Sequence, residues 1–371
     1  MSAALILFID GLALEGLAYM PRLSQWQMRR LQPGFGYSVN LHSELFAGLT
    51  PDEAGFFCDW TYDPQNAPGR ALRRVLPGLD RLFRPYVLNR GLQSLIIGWA
   101  YPGVRINLPL RHLGQFSRWG RPIDAPGFPR PSLFTIHPEL VVLSKRTGKK
   151  GERDGELVAR AEQAIDSGVR QLFVPLPDLD GIAHAYGLAS SQYQRHLESL
   201  DGWAEGLALR FLKHHPERNV FAISDHGMAT VRQGVRLDLE RVLGPADEER
   251  YLYFTDATLL RVWLLDPSLH SGLSEYLKGL GWGRVVTPEE RQRFGLTSPE
   301  FGTVIYQLNE GLAFEPSHFA RHKPKAMHGY HPDTVSQTAL LLGQPRGESL
   351  PDVQRSVEAF TVLEAALGRE N

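Results

Sequence analysis

Five short apolar runs mark out the chain: ALILFI at 4–9, QLFVPL at 171–176, NVFAIS at 219–224, LLRVWLL at 259–265 and QTALLL at 337–342. Each is nearly unbroken and too short for a stable helix, which is the pattern of a strand buried on both faces. Between them, GELVARAEQAIDSG at 155–168, the long stretch 192–215 and DVQRSVEAFTVLEAAL at 352–367 carry apolar residues at helical spacing. Strands that alternate with helices predict an α/β fold, a mostly parallel central sheet with helices on both faces.

Two stretches break the alternation. Residues 101–153 are rich in Pro, Gly and Arg and run into KRTGKKGERDGE, while 228–327 show weaker periodicity. Both read as irregular insertions on one domain spanning 1–371, placed to form a cap or substrate region. Composition narrows the partners. Forty Lys and Arg against 41 Asp and Glu leave a net charge of -1, so no global field favours a nucleic acid polymer or an anionic membrane, and neither is expected as a partner. The opening MSAALILFIDGLALEG lacks a basic leader, and Asp10 interrupts its apolar run, so a soluble, cytoplasmic chain is expected. A single cysteine, Cys58, excludes an intramolecular disulfide.

The chemistry lies just past the ends of the strands. Asp10 comes after the first run, Asp180 and His184 after QLFVPL within PDLDGIAHAYG, and Asp225 and His226 after NVFAIS within SDHGM. Any one of these is equally a turn or helix-cap residue. In an open parallel sheet, however, ligands bind beyond the carboxyl ends of the strands, where these residues would converge from distant parts of the chain. Spacing i, i+4 also puts Asp180 and His184 on one helical face. His328, in KAMHGYHPD just before the last run, completes three carboxylates and three imidazoles. That donor mixture suits zinc, manganese or iron, and its size suits two ions. His331, three residues on, competes with His328.

A two-ion phosphoryl-transfer site needs a nucleophile. Ser38, in GFGYSVNLHSELFAG, stands at the predicted start of a helix that stops at Gly48, where backbone N–H groups favour a phosphoryl oxygen. It reads either as an N-cap or as a metal-activated nucleophile. Ser43, inside the helix, is the weaker rival, and His42 is a helix residue near the site.

Asp10, Ser38 ten residues before the first glycine of GLTPDEAG, Asp180 and His184 in DGIAHAYG, Asp225 and His226 in DHGM, and His328 in HGY form an ordered set. It resembles the alkaline phosphatase superfamily, and within it the nucleotide pyrophosphatase/phosphodiesterase branch. Ala47 and Ala54 stand where that branch usually has Thr and His in its T-G-x-x-P-x-x-H-G segment. The resemblance implies one alkaline phosphatase-like catalytic domain holding two divalent ions, zinc or alternatively manganese. Asp10, Ser38, Asp225 and His226 would hold one ion, and Asp180, His184 and His328 the other. It further implies attack by Ser38 on phosphorus and a covalent phosphoseryl intermediate that water hydrolyses.

One departure bears on substrate. The branch carries an Asn, in a segment like NSMYDP, that donates a hydrogen bond to a phosphoryl oxygen, whereas DWTYDP here puts Asp59 at that position, 21 residues after Ser38. An ionised carboxylate cannot donate. Asp59 is therefore protonated, or turned away, or meets a substrate group that the usual nucleotide diesters lack, such as a hydroxyl or amine; contact with the substrate is the expectation taken forward, and nucleotide diesters become doubtful substrates. The expected activity is hydrolysis of a small phosphate ester or diester of phosphodiesterase/pyrophosphatase type. A phosphomonoesterase or phosphoryl transferase of the same superfamily is the alternative, and a catalytically silent metal-binding relative the reading from another class. The aromatic group Phe56, Phe57, Trp60 and Tyr62 lines either a pocket or a core, and Arg105, Arg111, Arg118 and Arg121 read either as solvated loop residues or as contacts to an anionic leaving group, none of them singled out as a site residue.

Overall fold

The computed structural model describes residues 2–67, 69–83, 86–100, 110–118, 128–144, 152–216, 219–344 and 349–368. The chain divides into two compact units: Met1–Ala54, Arg121–Thr230 and Lys325–Asn371 form the first, Gly55–Gly120 and Val231–Pro324 the second.

The first unit is built on a six-stranded sheet in which Ala4–Ile9 lies centrally, parallel to Gln171–Leu176 on one side and to Asn219–Ile223 on the other. Val141–Val142 extends the edge beside Gln171–Leu176 in parallel, while Ala339–Gly343 and then Gln27–Leu31 close the opposite edge as antiparallel strands. The sheet is thus mostly parallel, as expected. Alternation along Ala4–Ile9 explains the layers, since successive side chains leave opposite faces of a strand. Leu5, Leu7 and Ile9 pack with Leu157, Leu197, Leu200 and Phe211, carried by the helices Asp154–Asp166 and Ser191–His214. Ala4, Ile6 and Phe8 pack on the other face with Leu45, Phe46, Leu363 and Leu367, from the helices Ser38–Ala47 and Ser356–Leu367. Helices cover both faces, so no strand in the middle needs a polar side.

The second unit is differently made. Tyr251–Thr255, Leu259–Leu264, Val304–Leu308 and Gly283–Val285 form, in that order, a wholly antiparallel sheet. The apolar run at 259–265 therefore belongs here and not to the parallel sheet. A short apolar stretch is equally content in either, because its partners are set by distant residues. The second unit also begins well before residue 101, and residues 128–144 fold with the first unit, where Leu133 and Leu140 enter the core. Residues 145–151 of the basic tip, with Arg105 and Arg121, lie outside the described residues, as does the side chain of Arg118.

Candidate active site

Three neighbouring parallel strands deliver the chemistry. Asp10 is the first residue beyond Ala4–Ile9, Asp225 and His226 lie just beyond Asn219–Ile223, and Asp180 sits in the first turn of the helix Asp178–Tyr186 that follows Gln171–Leu176. The chain can turn so tightly after Asp10 because Gly11 has φ +71°, and a Cβ there would stand 3.2 Å from that of Asp180. His328 arrives from elsewhere, just past the short strand Ala326–Met327, which pairs with Ala229–Thr230. All seven residues expected at the site other than Asp59 belong to the first unit.

Two groups result: Asp180, His184 and His328 bring their donor atoms within 4.8 Å of one another, and so do Asp10, Asp225 and His226. They adjoin through the rings of His226 and His328, which stack in parallel with centroids 3.6 Å apart. Ser38 is the first residue of its helix, not its cap; Tyr37 occupies the cap position, and the Asn40 side chain accepts a hydrogen bond from the Tyr37 N–H at 3.2 Å. Ser38 Oγ lies 3.2 Å from His226 Nε2.

Tautomers tell what the groups want. His226 Nδ1 lies 2.9 Å from the Gly227 carbonyl and His184 Nδ1 2.8 Å from that of Ala326. A carbonyl only accepts, so both Nδ1 atoms carry the proton and a neutral ring turns a lone pair outward at Nε2. Those Nε2 atoms face carboxylate oxygens, His226 at 3.4 Å from Asp225 Oδ2 and His184 at 3.2 Å from Asp180 Oδ1. Both oxygens are buried and accept no well-aligned hydrogen bond. Among the described residues, the side chains paired with Asp180 and Asp225 are imidazoles, with no Lys or Arg. Lone pairs facing buried carboxylates repel unless a proton or a cation intervenes, and imidazoles whose other nitrogen is held by a carbonyl are pre-oriented ligands. The donor set fits divalent ions.

The surrounding field agrees. Burial, and then the nearby His226 and His184, push the His328 imidazole far below its usual range, so it is neutral and able to ligate. Burial opposes ionisation of Asp225, but His226, His42 and the Gly11 N–H outweigh it and hold the carboxyl below the ordinary range. Burial would lower His184 too, yet Asp180 overrides it and raises that imidazole.

His42 contributes more than its sequence reading suggested. Its Nε2 stands 3.5 Å from Asp225 Oδ2, and its ring meets Phe8 edge-on at 5.0 Å. The signal was present: His42 is four residues after Ser38 and so shares its helix face. Glu44, two residues on, was missed altogether. Its carboxylate accepts from the Gly34 N–H at 2.9 Å and fills the space where a Cβ on Gly34 would collide, tying down the loop that leads into Ser38. Ser43 is buried inside the helix. His331 belongs to neither group; its ring packs edge-on against Phe35 and its Nδ1 accepts from the Asp333 N–H.

In the second unit, Asp59 follows the buried Cys58 and shares its surroundings with Asp256 and Arg261. Burial pushes the Asp256 carboxyl up to about 6, with Arg261 opposing and Asp59 adding to the rise. Burial also drives the Cys58 thiol far up, leaving it inert. Phe56, Phe57 and Trp60 are buried as core. Arg111 is tied to Glu240 at 2.6 Å.

The sequence profile of the type I phosphodiesterase / nucleotide pyrophosphatase family matches residues 42–266, more than half of the chain. Among solved structures, an inactive form of murine ectonucleotide pyrophosphatase / phosphodiesterase 5 in complex with AMP is 13% identical, with a TM-score of 0.67 over 99% of this chain and 95% of that one. The human ectonucleotide pyrophosphatase / phosphodiesterase 5 is likewise 13% identical, with a TM-score of 0.63 over the same shares of the two chains. These likenesses establish the fold. No curated protein matches the chain in sequence. With a strand-end site of this donor composition, the match over more than half its length assigns the chain to the type I phosphodiesterase / nucleotide pyrophosphatase family, hydrolases of phosphoric ester bonds in the alkaline phosphatase superfamily.

Proposed function

We propose that the chain hydrolyses a small phosphodiester or pyrophosphate-like bond through a phosphoseryl intermediate on Ser38. The observation that carries this reading is the placement of Ser38 Oγ, 3.2 Å from His226 Nε2, beside two adjoining carboxylate–imidazole groups. Asp10, Ser38, Asp225 and His226 would hold one ion and Asp180, His184 and His328 a second, with zinc the proposed metal and manganese the alternative. Bound there, two divalent ions lower the pKa of a hydroxyl or water and neutralise phosphoryl charge.

The chain's own residues do the rest. The Ser38 oxygen attacks phosphorus in line, the P–O bond opposite it breaks, and the leaving group departs with that electron pair. Water then displaces the Ser38 oxygen and releases the phosphomonoester. First-turn N–H groups at Ser38 and Val39, which a helix leaves without internal acceptors, would be available to the phosphoryl oxygens. Carbonyl contacts of Gly227 and Ala326 keep His226 and His184 in one tautomer throughout. We further propose that Asp59 accepts a hydrogen bond from a hydroxyl or amine of the substrate, in place of the amide donor that the resemblance implies.

Elemental analysis, combined with assays of p-nitrophenyl phosphate and bis(p-nitrophenyl) phosphate on the wild type and Ser38→Ala, tests the reading. About two metal equivalents and a diester turnover lost in the variant support it. Metal without any Ser38-dependent turnover favours the silent relative, and a monoester preference favours the phosphomonoesterase. For Asp59, unchanged kinetics of Asp59→Asn on the physiological substrate rule out the contact.

A further inference from the structure

In the second unit the helix Tyr86–Ala100 is apolar along most of its length, yet it turns one apolar arc to water. Positions advance 100° per residue, so Ser94, Val87, Gly91, Leu95 and Leu88 share one arc of about 120° while Asn89 and Gln93 lie opposite. On the side toward the protein, Leu92 packs against the buried cluster that holds Leu76 and Leu110, next to the buried Gln93. Gln93 is only 3% exposed, and Asn89 donates to Asp80 at 3.0 Å, whereas Leu95 is 75%, Val87 61% and Leu88 57% exposed. Just before it, the helix Leu76–Leu82 ends on Leu82, 74% exposed, and begins after Val75, also exposed. Large apolar side chains turned to water at Leu82, Val87, Leu88 and Leu95 are unfavourable by themselves and mark a surface that something else covers.

Charge identifies the cover. From Arg70 to Ala100 the sequence holds six arginines and one acidic residue, Asp80. Asp80 is itself engaged by Asn89 and lies 3.8 Å from Arg111. Arg70, Arg73 and Arg74 are exposed; among the described residues only Arg73 of the three meets an acid, Glu248, at 3.7 Å across solvent. The chain-wide charge of -1 conceals this local basic block. A second copy of the chain is a poor occupant, because a two-fold interface would set the arginine block against itself. Apolar residues flanked by arginines, on a helix that is not long and apolar enough to cross a membrane, suit the boundary of an anionic bilayer.

We propose that the Leu76–Leu82 and Tyr86–Ala100 helices form an interfacial docking surface for anionic phospholipid, with Leu82, Val87, Leu88 and Leu95 entering the headgroup boundary. This is independent of the catalytic reading, and it revises the expectation that no membrane partner exists. The test is cosedimentation of the full chain with vesicles of phosphatidylcholine alone and with about one-third phosphatidylglycerol. Binding on the order of a hundredfold tighter to the anionic vesicles is expected from three exposed arginines. It should weaken as salt rises from about 0.05 to about 0.5 M. Leu88→Ser with Leu95→Ser should reduce partitioning by about tenfold or more while thermal unfolding and turnover of a soluble diester stay unchanged. Arg73→Gln with Arg74→Gln should cut the anionic preference to about fivefold in a folded chain. No preference for anionic vesicles overturns the proposal. So does a dimer in light scattering that the leucine variant splits, which would make the face a contact between copies.

Discussion

The two units spend similar apolar sequence on opposite ends. In the first, strands buried on both faces carry no charge until they leave the sheet, so Asp10, Asp180 and Asp225 are confined to strand ends and can be gathered as one site. In the second, the strand Leu259–Leu264 carries a charge in its middle: Arg261 is fully buried, donates from Nη1 to the carbonyls of Phe57 and Trp60 at 3.2 and 2.8 Å, and lies among the rings of Phe57, Phe254 and Trp263. One unit uses polarity at its margin for chemistry and the other uses it inside for structure. A charged residue's position along a strand, more than its type, tells the two uses apart.

The contrast is sharpest if Ser38 is removed. Ser38→Ala should lower diester turnover by at least about a thousandfold with the unfolding midpoint unchanged, if the hydroxyl serves the proposed chemistry, since it carries no cap. A large loss of stability instead would move Ser38 to the structural side of the comparison. Arg261→Met should do the reverse, destabilising the chain by about 3–5 kcal/mol in denaturant titration, since it leaves the half-buried Asp256 and its neighbour Asp59 uncompensated. Pairing it with Asp256→Asn should recover part of that loss; no recovery would mean that the guanidinium matters through its carbonyl and ring contacts alone.

How far the sequence revealed all this depends on the same contrast. Asp10, Asp225 and His226 were legible because each stands directly after an unbroken apolar run, and a parallel sheet collects strand ends. Asp180 and His184 were legible from i, i+4 spacing. His328 owes its place to a two-residue strand that no periodicity announces, and the motif HGY located it only through the resemblance. The strand Leu259–Leu264 was legible as a strand but not as a member of a second sheet, since pairing partners are nonlocal. Gln93 turned inward, with Leu88 and Leu95 turned out on the same helix, defeats any reading that assumes apolar residues always seek the core.

His42 lies between the two uses, on the helix that begins at Ser38 yet reaching a candidate ligand. His42→Ala should weaken metal retention and lower kcat by about ten- to a hundredfold with little change in KM or in stability. His42→Gln, which keeps a donor toward Asp225, should restore part of both. Equal losses in the two variants would assign the histidine to packing against Phe8.

The smallest effect belongs to Glu44. Burial pushes its carboxyl up from 4.5 to about 8, with the Gly34 N–H and Arg355 opposing. Between those two values the folded chain keeps a proton that the unfolded chain has released, so stability falls as pH rises through the window. The contribution is complete below 4.5 and lost once pH passes about 8. Glu44→Gln keeps an acceptor for Gly34 but cannot ionise. It should be more stable than the wild type by on the order of 1 kcal/mol near pH 8, with no gain near pH 5. Denaturant unfolding across that range reads the difference directly: parallel pH profiles would mean that Glu44 is ionised in the fold and held by Arg355, whereas a flatter profile for the variant makes the loop before Ser38 a neutral, hydrogen-bonded mount for that residue.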